Sequence, residues 1–377
     1  MSSDFYSVPA AEKSVIENHS RSFSLAAKLL PRPMQRDVQR LYAWCRWCDD
    51  AVDEASTQEE AQRQIDLLRK DVGLIFRNEV PQHPASLWLA EVVRKYEIPR
   101  QWPMDLLDGM EADVTSTEIL SIDELNNYCY QAAGTVGLMM ARILGVDDSL
   151  ALRQAKSLGM AMQLTNIARD VDEDWKLGRR YIPAQWLPLV PCRDRRPNND
   201  EVRKGVDEIL RLADAFYEDG YKGLEHLPNG ARVAIRLAGR VYQEIGNEIR
   251  RQDFAVIENR VFVPRSGKFR ILLRCFGEEL VFRFRQLKPS PLPVKSKIVT
   301  TPGANKLQAA YEENCYLGFR GLSITCLMAM LLFLMVGLNP KESAYSHLPW
   351  LYSSTCSFLS VAFGFLANRS YKKFVQQ

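Results

Sequence analysis

The chain has 377 residues, of which 46% are hydrophobic, so it can bury a sizeable core in one large domain or two smaller ones. A formal net charge of +3 is too close to neutral for a protein that binds nucleic acid through a basic surface. The eight cysteines are scattered rather than arranged as a disulfide framework, and the four histidines show no metal-ligand spacing.

The N-terminal segment contains the first residues of chemical interest. Residues 1–14 lack the charged and apolar regions of a secretion signal, so we expect the globular part of the chain to lie in a reducing cytosol. The sequence from His19 to Ser24 is HSRSFS, and hydroxyls beside a guanidinium are suitable phosphate donors. Serines that cap the end of a helix would give the same pattern, so both interpretations stay open.

A long helix is predicted from Met34 to Glu54, because its apolar residues recur at spacings of three and four. We interpret Cys45 and Cys48 within it as buried structure, since their surroundings are apolar and no second CxxC exists. Further helices are predicted over Glu59–Asn78, Ser86–Tyr96 and Met104–Asp113. We expect the acidic residues of the last of these to lie mainly on the surface.

The second half of the sequence is also predicted to be helical. The predicted helices cover Ile122–Leu144, Leu150–Trp175, Val202–Glu225 and Gly230–Arg251. No stretch shows the sustained alternation of a β-strand, so the predicted fold class is all-α. The run of small residues from Ala132 to Gly137 indicates close approach of another helix or of a long ligand.

Two acidic motifs carry the functional hypothesis. Asp49 and Asp53 lie four residues apart, and Asp170 and Asp174 repeat that spacing within Gln163–Pro183. On a helix, such a pair shares one face and repels unless a cation offsets it. One interpretation is a solvated acidic face served by nearby basic residues, namely Arg169, Lys176, Arg179 and Arg180. The other is two helices that face each other across a bundle and hold Mg²⁺, whose other ligands are waters and substrate phosphates.

With these motifs in place, the chain resembles the squalene and phytoene synthase family from about Ser14 to Val263. The shared sequences are HSRSFS, YAWCRWCDDAVDE, YCYQAAGTVGLM, QLTNIARDVDEDWKLGRRYIP, and VYQEIGNEIR followed by ENRVF. Within the family, LYAWCRWCDD and DLLDGMEADV look most like bacterial phytoene synthases. The resemblance implies a single isoprenoid-synthase-type helical bundle with a central cavity.

The resemblance also implies roles for individual residues. The implied metal ligands are Asp49, Asp53, Asn166, Asp170 and Asp174. The implied catalytic residues are Tyr42, Arg46, Tyr128 and Tyr181. The implied substrate-binding residues are Ser20, Ser22, Phe23, Arg46, Ala132, Val136, Gly137, Gln163, Tyr242 and Arg260. The aromatic residues among them are candidates for shielding carbocations from water.

The reaction of this family joins two prenyl diphosphates head to head, and in the phytoene branch both are geranylgeranyl diphosphate. The resemblance implies Mg²⁺, with Mn²⁺ as an alternative, to neutralise the leaving diphosphate, and no nicotinamide cofactor for the phytoene reaction. Squalene, hydroxysqualene and dehydrosqualene synthases act on two farnesyl diphosphates with the same motifs and remain alternatives. A non-catalytic, membrane-tethered isoprenoid-binding protein is a further alternative. The intact aspartates of both acidic motifs argue against it, because a protein that only binds isoprenoids would not need four carboxylates at these spacings.

The sequence changes character after Arg265. Arg265–Leu287 is basic and aromatic, which favours either a helix on an anionic membrane surface or the last helix of the family's bundle. The uncharged runs Gly321–Leu338 and Ser343–Asn368 are long enough to span a bilayer, and flanking basic residues place both of their ends in the cytoplasm. A buried hairpin in a soluble protein is the alternative.

We therefore expect three parts in the chain. These are a catalytic domain at residues 1–287, a linker at 288–315 and a membrane-anchoring helical hairpin at 316–377. The expected location is the bacterial inner membrane, with the catalytic domain in the cytoplasm. The expected partners are geranylgeranyl diphosphate, the lipid bilayer and downstream carotenoid enzymes, and no nucleic acid.

Overall fold

The computed structural model describes residues 27–114, 118–187, 196–257 and 260–286. Within these ranges the fold is all-α, as predicted, and the β pairing there is limited to one isolated bridge between Glu118 and Arg180. The helices are α1 (Arg32–Asp53), α2 (Gln58–Phe76), α3 (Pro84–Tyr96), α4 (Gln101–Val114), α5 (Ile122–Cys129), α6 (Thr135–Ile143), α7 (Ser149–Arg169), α8 (Val171–Lys176), α9 (Asn199–Lys222), α10 (Asn229–Arg251) and α11 (Arg265–Gln286). A π-helical segment, Tyr130–Gly134, joins α5 to α6, and 3-10 turns cover Ala184–Trp186 and Gly223–His226.

Local sequence signals account for where several helices begin and end. Thr57 accepts a hydrogen bond from the backbone N–H of Glu60 and so caps α2. Asn198 and Glu201 form a reciprocal capping box at the start of α9. Gly145 ends α6 with a φ of 84°, a left-handed conformation that glycine adopts without a steric penalty.

The second acidic motif differs from its prediction in one respect, because the helix breaks at Asp170. This residue has φ −100° and ψ 18°, so α7 ends before it and the short α8 follows. The turn nevertheless keeps helical hydrogen bonds: the N–H of Asp170 donates to the carbonyl of Asn166 at 2.8 Å, and that of Asp174 donates to the carbonyl of Asp170 at 2.9 Å. Asp170 and Asp174 therefore stay one turn apart despite the break.

Helix α7 lies at the centre of the bundle and packs against α6, α9 and α10. Its buried residues are distributed around the helix, as expected for a helix that neighbours cover on most sides. The approach of α6 is close, because a Cβ added to Gly137 would lie 2.5 Å from the backbone carbonyl oxygen of Ala155. Close helix packing at the small-residue run is thus confirmed.

Two hydrophobic clusters form the core on either side of α7. The first is built mainly from α1 to α4 with α6 and includes the fully buried Trp44, Ile65 and Leu106. The second surrounds α7 and α9 and includes Tyr217, whose hydroxyl lies 3.0 Å from that of Thr165. The central cavity described below lies between elements of both clusters.

Helix α11 belongs to the bundle. Its Leu272 and Cys275 pack with Leu237 and Val241 of α10, and the buried Glu279 lies 3.1 Å from the guanidinium of Arg232. This packing favours the interpretation of α11 as the bundle's last helix.

Among the described ranges, none of the helices combines the length and the hydropathy needed to cross a bilayer. The described helices all fall within one compact unit, Met1–Lys288. The predicted linker at 288–315 and the predicted hairpin at 316–377 lie outside the described residues.

Candidate active site

A cavity of about 970 Å³ lies at the centre of the bundle. One part of its wall is polar and carries both acidic motifs, and the remainder is lined largely by alanine, leucine, valine and methionine side chains. The predicted site residues that line it are Tyr42, Arg46, Asp49, Asp53, Tyr128, Ala132, Val136, Gly137, Gln163, Asn166, Asp170, Asp174, Tyr181, Tyr242 and Arg260. The remaining predictions, Ser20, Ser22 and Phe23, lie outside the described residues.

The first acidic motif lies in the last turns of α1. The apolar residues of this helix, including Leu41 and Trp44, face the core, so Asp49 and Asp53 are held at the wall of the cavity. Arg46, one turn earlier, lies 2.9 Å from the carboxylate of Asp49 and 2.6 Å from that of Asp50. An arginine therefore partly offsets this motif.

The second acidic motif lies at the junction of α7 and α8. Arg169 binds the carboxylate of Asp170 with its Nε at 2.7 Å and also through Nη2. Arg260, which precedes α11, has its Nε 3.2 Å from Oδ1 of the same carboxylate. Asp170 is thus enclosed by two guanidinium groups.

Arg179 connects the two motifs. It follows α8 in the chain, yet its Nη2 lies 2.7 Å from the carboxylate of Asp53 on α1. Both motifs therefore face the same cavity, as the sequence hypothesis requires. Asp172, by contrast, is not a lining residue of the cavity and pairs with Lys176 at 2.9 Å and with Arg196 at 2.6 Å.

Two carboxyl groups of the site, those of Asp49 and Asp174, have raised pKa values. Burial raises the pKa of Asp49 to about 7, and the neighbouring carboxylates of Asp53 and Asp113 push it in the same direction against Arg46. Burial, followed by the charge of Asp170, raises the pKa of Asp174 to about 8. A bound cation would favour the ionised form of both groups.

The donor set fits a hard divalent cation. The Oδ1 atom of Asn166 is buried and accepts no hydrogen bond from the described residues, and Asn166 is a lining residue of the cavity, as are Gln163 and Asp170. Carboxylate and amide oxygens are the protein ligands that Mg²⁺ takes. Within the described ranges, however, no three acidic, histidine or cysteine side chains surround one point closely enough to hold an ion by themselves.

Asp113 is a cavity residue that the sequence analysis missed. It accepts hydrogen bonds from the hydroxyl of Tyr128 at 3.0 Å and from that of Tyr181 at 2.5 Å. Burial raises the pKa of its carboxyl group. Its spacing from Leu106 and Met110 of the same helix is that of one helical stripe, and both of those residues also line the cavity. That spacing is the signal that could have identified it.

The prediction that the acidic residues of α4 lie mainly on the surface is therefore only partly right. Asp108 and Glu111 are about two-fifths exposed and pair with Arg69, as a surface location requires. Asp105, by contrast, is buried and accepts hydrogen bonds from Gln101 and Tyr130. It was misplaced because a buried aspartate is rare unless partners satisfy it, and those partners come from tertiary structure.

The comparisons with known proteins agree with this geometry. A model of the family described as squalene/phytoene synthase matches residues 16–267, and the chain belongs to this family. The 15-cis-phytoene synthase of Paracoccus sp. (strain N81106 / MBIC 01143) is 36% identical over 264 residues, covering 68% of this chain and 87% of that relative. The 15-cis-phytoene synthase of Pantoea ananas is 33% identical over 287 residues, covering 72% and 92%. Among solved structures, a dehydrosqualene synthase in complex with ligand is 27% identical, with a TM-score of 0.65 and coverage of 72% of this chain and 96% of that one.

Proposed function

We propose that this chain is a phytoene synthase, which condenses two molecules of geranylgeranyl diphosphate head to head through prephytoene diphosphate. The observation that supports it most directly is the convergence of two carboxylate pairs on the polar part of a cavity whose other walls are apolar. The polar part suits diphosphate groups, and the apolar part suits long prenyl chains. The family membership and the similarity to bacterial phytoene synthases support the same conclusion.

Mg²⁺ would be held by Asp49, Asp53, Asn166, Asp170 and Asp174. When bound, it neutralises the charge that develops on the leaving diphosphate. Around it, Arg46 and Arg260 already lie against these carboxylates and can turn toward diphosphate oxygens, for which guanidinium groups are well suited.

The aromatic side chains around the polar part protect cationic intermediates. Tyr128 and Tyr181 stack with a centroid distance of 4.6 Å, and Tyr42 lines the cavity beside Cys45. Aromatic faces attract positive charge, while the apolar wall excludes water that would quench a carbocation. Gln163, 3.4 Å from Asn166, and Tyr242 lie at the cavity wall, where they can position the diphosphate groups.

Incubation with Mg²⁺ and either C15 or C20 diphosphate, with and without NADPH, tests this function when the products are identified by mass. We expect a C40 product from the C20 substrate without NADPH. Products formed only from the C15 substrate would instead identify a synthase of the squalene type. The similarity to a solved dehydrosqualene synthase is the observation that favours this alternative.

We also propose that residues 316–377 anchor the enzyme in the inner membrane, with the catalytic domain in the cytoplasm. The supporting observation is the two long uncharged runs of the sequence, Gly321–Leu338 and Ser343–Asn368, with basic residues beside them. Such a location would deliver a C40 hydrocarbon directly to lipid and would place downstream carotenoid enzymes nearby. Retention of the full chain in membranes after an alkaline carbonate wash is the expected result, and its release would reject the anchor.

A further inference from the structure

Asp113, near the end of α4, lies between two tyrosines of the cavity wall. The hydroxyl of Tyr181 donates to its Oδ1 at 2.5 Å, and the hydroxyl of Tyr128 donates to its Oδ2 at 3.0 Å. The two tyrosine rings come from different elements, α5 and the segment after α8, and stack at an interplanar angle of 24°. Each oxygen of one carboxylate therefore holds one of two stacked phenols.

This arrangement determines what the two phenols can offer to a ligand. Both phenol hydroxyls donate to Asp113, and each of its carboxylate oxygens accepts one of the two hydrogen bonds. A phenol has a single hydroxyl hydrogen, and with that hydrogen committed only oxygen lone pairs and ring faces remain for the cavity. Both features attract a positively charged carbon.

We propose that Asp113 is a positioning residue that orients Tyr128 and Tyr181, so that these two phenols present hydrogen-bond acceptors and aromatic faces, and no donor, to the cationic intermediates. The inference rests on the proposed function, because it concerns the carbocation steps of that reaction. The proposed role of Asp113 involves no contact with the substrate, since the two phenols donate hydrogen bonds to its carboxylate oxygens.

The first test replaces the charge while keeping the shape of the side chain. Asp113→Asn substitutes an amide donor for one acceptor oxygen, which turns one phenol hydrogen toward the cavity. We expect kcat to fall about 10²-fold, the size of effect that misplaced groups produce, with KM for the C20 substrate nearly unchanged. Asp113→Glu keeps both acceptor oxygens and should recover most of that loss. The matched control is Asp108→Asn on the outer side of the same helix, which should leave both constants unchanged.

A double-mutant cycle decides whether Asp113 acts through the phenols. In a Tyr128→Phe/Tyr181→Phe background there is no hydroxyl to orient, so Asp113→Asn should lower kcat by no more than about twofold further. A second loss of about 10²-fold in that background, or a failure of Asp113→Glu to recover activity, would overturn the proposal. Circular dichroism and thermal unfolding confirm that each variant is folded.

A metal titration separates positioning from direct ligation. If Asp113 only orients the tyrosines, the Mg²⁺ concentration for half-maximal rate should differ by well under about tenfold between Asp113→Asn and the wild-type protein, because only the field of its charge at Asp49 is lost. A loss of about tenfold or more in apparent Mg²⁺ affinity, typical of a residue in or directly behind a metal site, would contradict the proposal. If the wild-type protein converts only the C15 substrate, the proposed function fails, and the same cycle measured on the C30 product still tests Asp113.

Discussion

The length of α7 predicts which residue limits the length of the substrate chain. Ala155 lines the cavity eleven residues before Asn166, which is roughly 16 Å along the helix axis, and Ala151 is roughly 22 Å away. At about 1.2 Å per bond, an extended C15 chain spans roughly 14 Å and a C20 chain roughly 19 Å. If a prenyl chain runs along α7 from a diphosphate held near Asn166, a C15 chain would end before Ala155 and the last isoprene unit of a C20 chain would pass it.

Ala155→Phe should therefore exclude the last isoprene unit and leave room for a shorter chain. Burial of five carbons is worth about 4 kcal/mol at about 0.8 kcal/mol each, so the kcat/KM ratio of C20 to C15 substrate should fall by up to about 10³-fold. Competition between the two labelled diphosphates in one reaction measures this ratio directly. Leu150→Phe is the matched control, because Leu150 is 46% exposed near the same end of α7 and is not a wall residue of the cavity.

The result that refutes this reasoning is a folded Ala155→Phe enzyme that uses both substrates in the wild-type ratio. In that case the prenyl chains do not run along α7, and the helix rise does not measure them. A uniform loss of activity with both substrates would likewise contradict a selective block.

Further predictions concern the acidic motifs and the packing of the bundle. Asp170→Asn combined with Asp174→Asn should lower kcat by at least about 10³-fold, because both motifs are needed to neutralise the leaving diphosphate. Product formation measures kcat, and circular dichroism should show that the protein stays folded. Unchanged turnover would reject the metal assignment. The metal-free protein should lose stability as the pH rises from about 4 to about 8, because Asp49 and Asp174 bind protons more tightly in the folded state than in the unfolded state. Chemical denaturation across this pH range, with and without Mg²⁺, should show the loss and its reversal by the cation. A free energy of unfolding that does not change with pH would mean that these carboxylates are not destabilising. Gly137→Ala should cost about 1–3 kcal/mol of unfolding free energy, because the added Cβ would lie 2.5 Å from the carbonyl oxygen of Ala155. In the control Gly277→Ala on α11, the added Cβ meets no atom within 4 Å, so this variant should be neutral or slightly stabilising. Equal melting temperatures for the two variants would contradict this account of the packing.

Much of the fold follows from local sequence signals. The helix limits agree with the predicted limits to within a few residues, because apolar spacing and capping residues such as Thr57 and Asn198 act locally. Two features depart from the predicted helices, namely the π-helical segment before α6 and the break at Asp170. Periodicity contains no information about tertiary constraints.

The candidate site could be predicted as a set of residues but not as a set of contacts. The resemblance named the carboxylates and tyrosines that the structure brings to one cavity. It did not show that Arg179 reaches across to Asp53, or that Asp113 joins two phenols from distant parts of the chain. Such contacts link residues far apart in sequence, and no local pattern specifies them.

The carboxylates of the two acidic motifs are already paired with arginine side chains, which a bound Mg²⁺ would replace as their counter-ions. Arg46, Arg179 and Arg260 each neutralise part of the carboxylate charge that a divalent ion would otherwise neutralise. A bound Mg²⁺ would compete with these guanidinium groups for the carboxylates and would leave them available to an incoming diphosphate. Ion and diphosphate should therefore each strengthen the binding of the other, so that neither is held tightly until both are present.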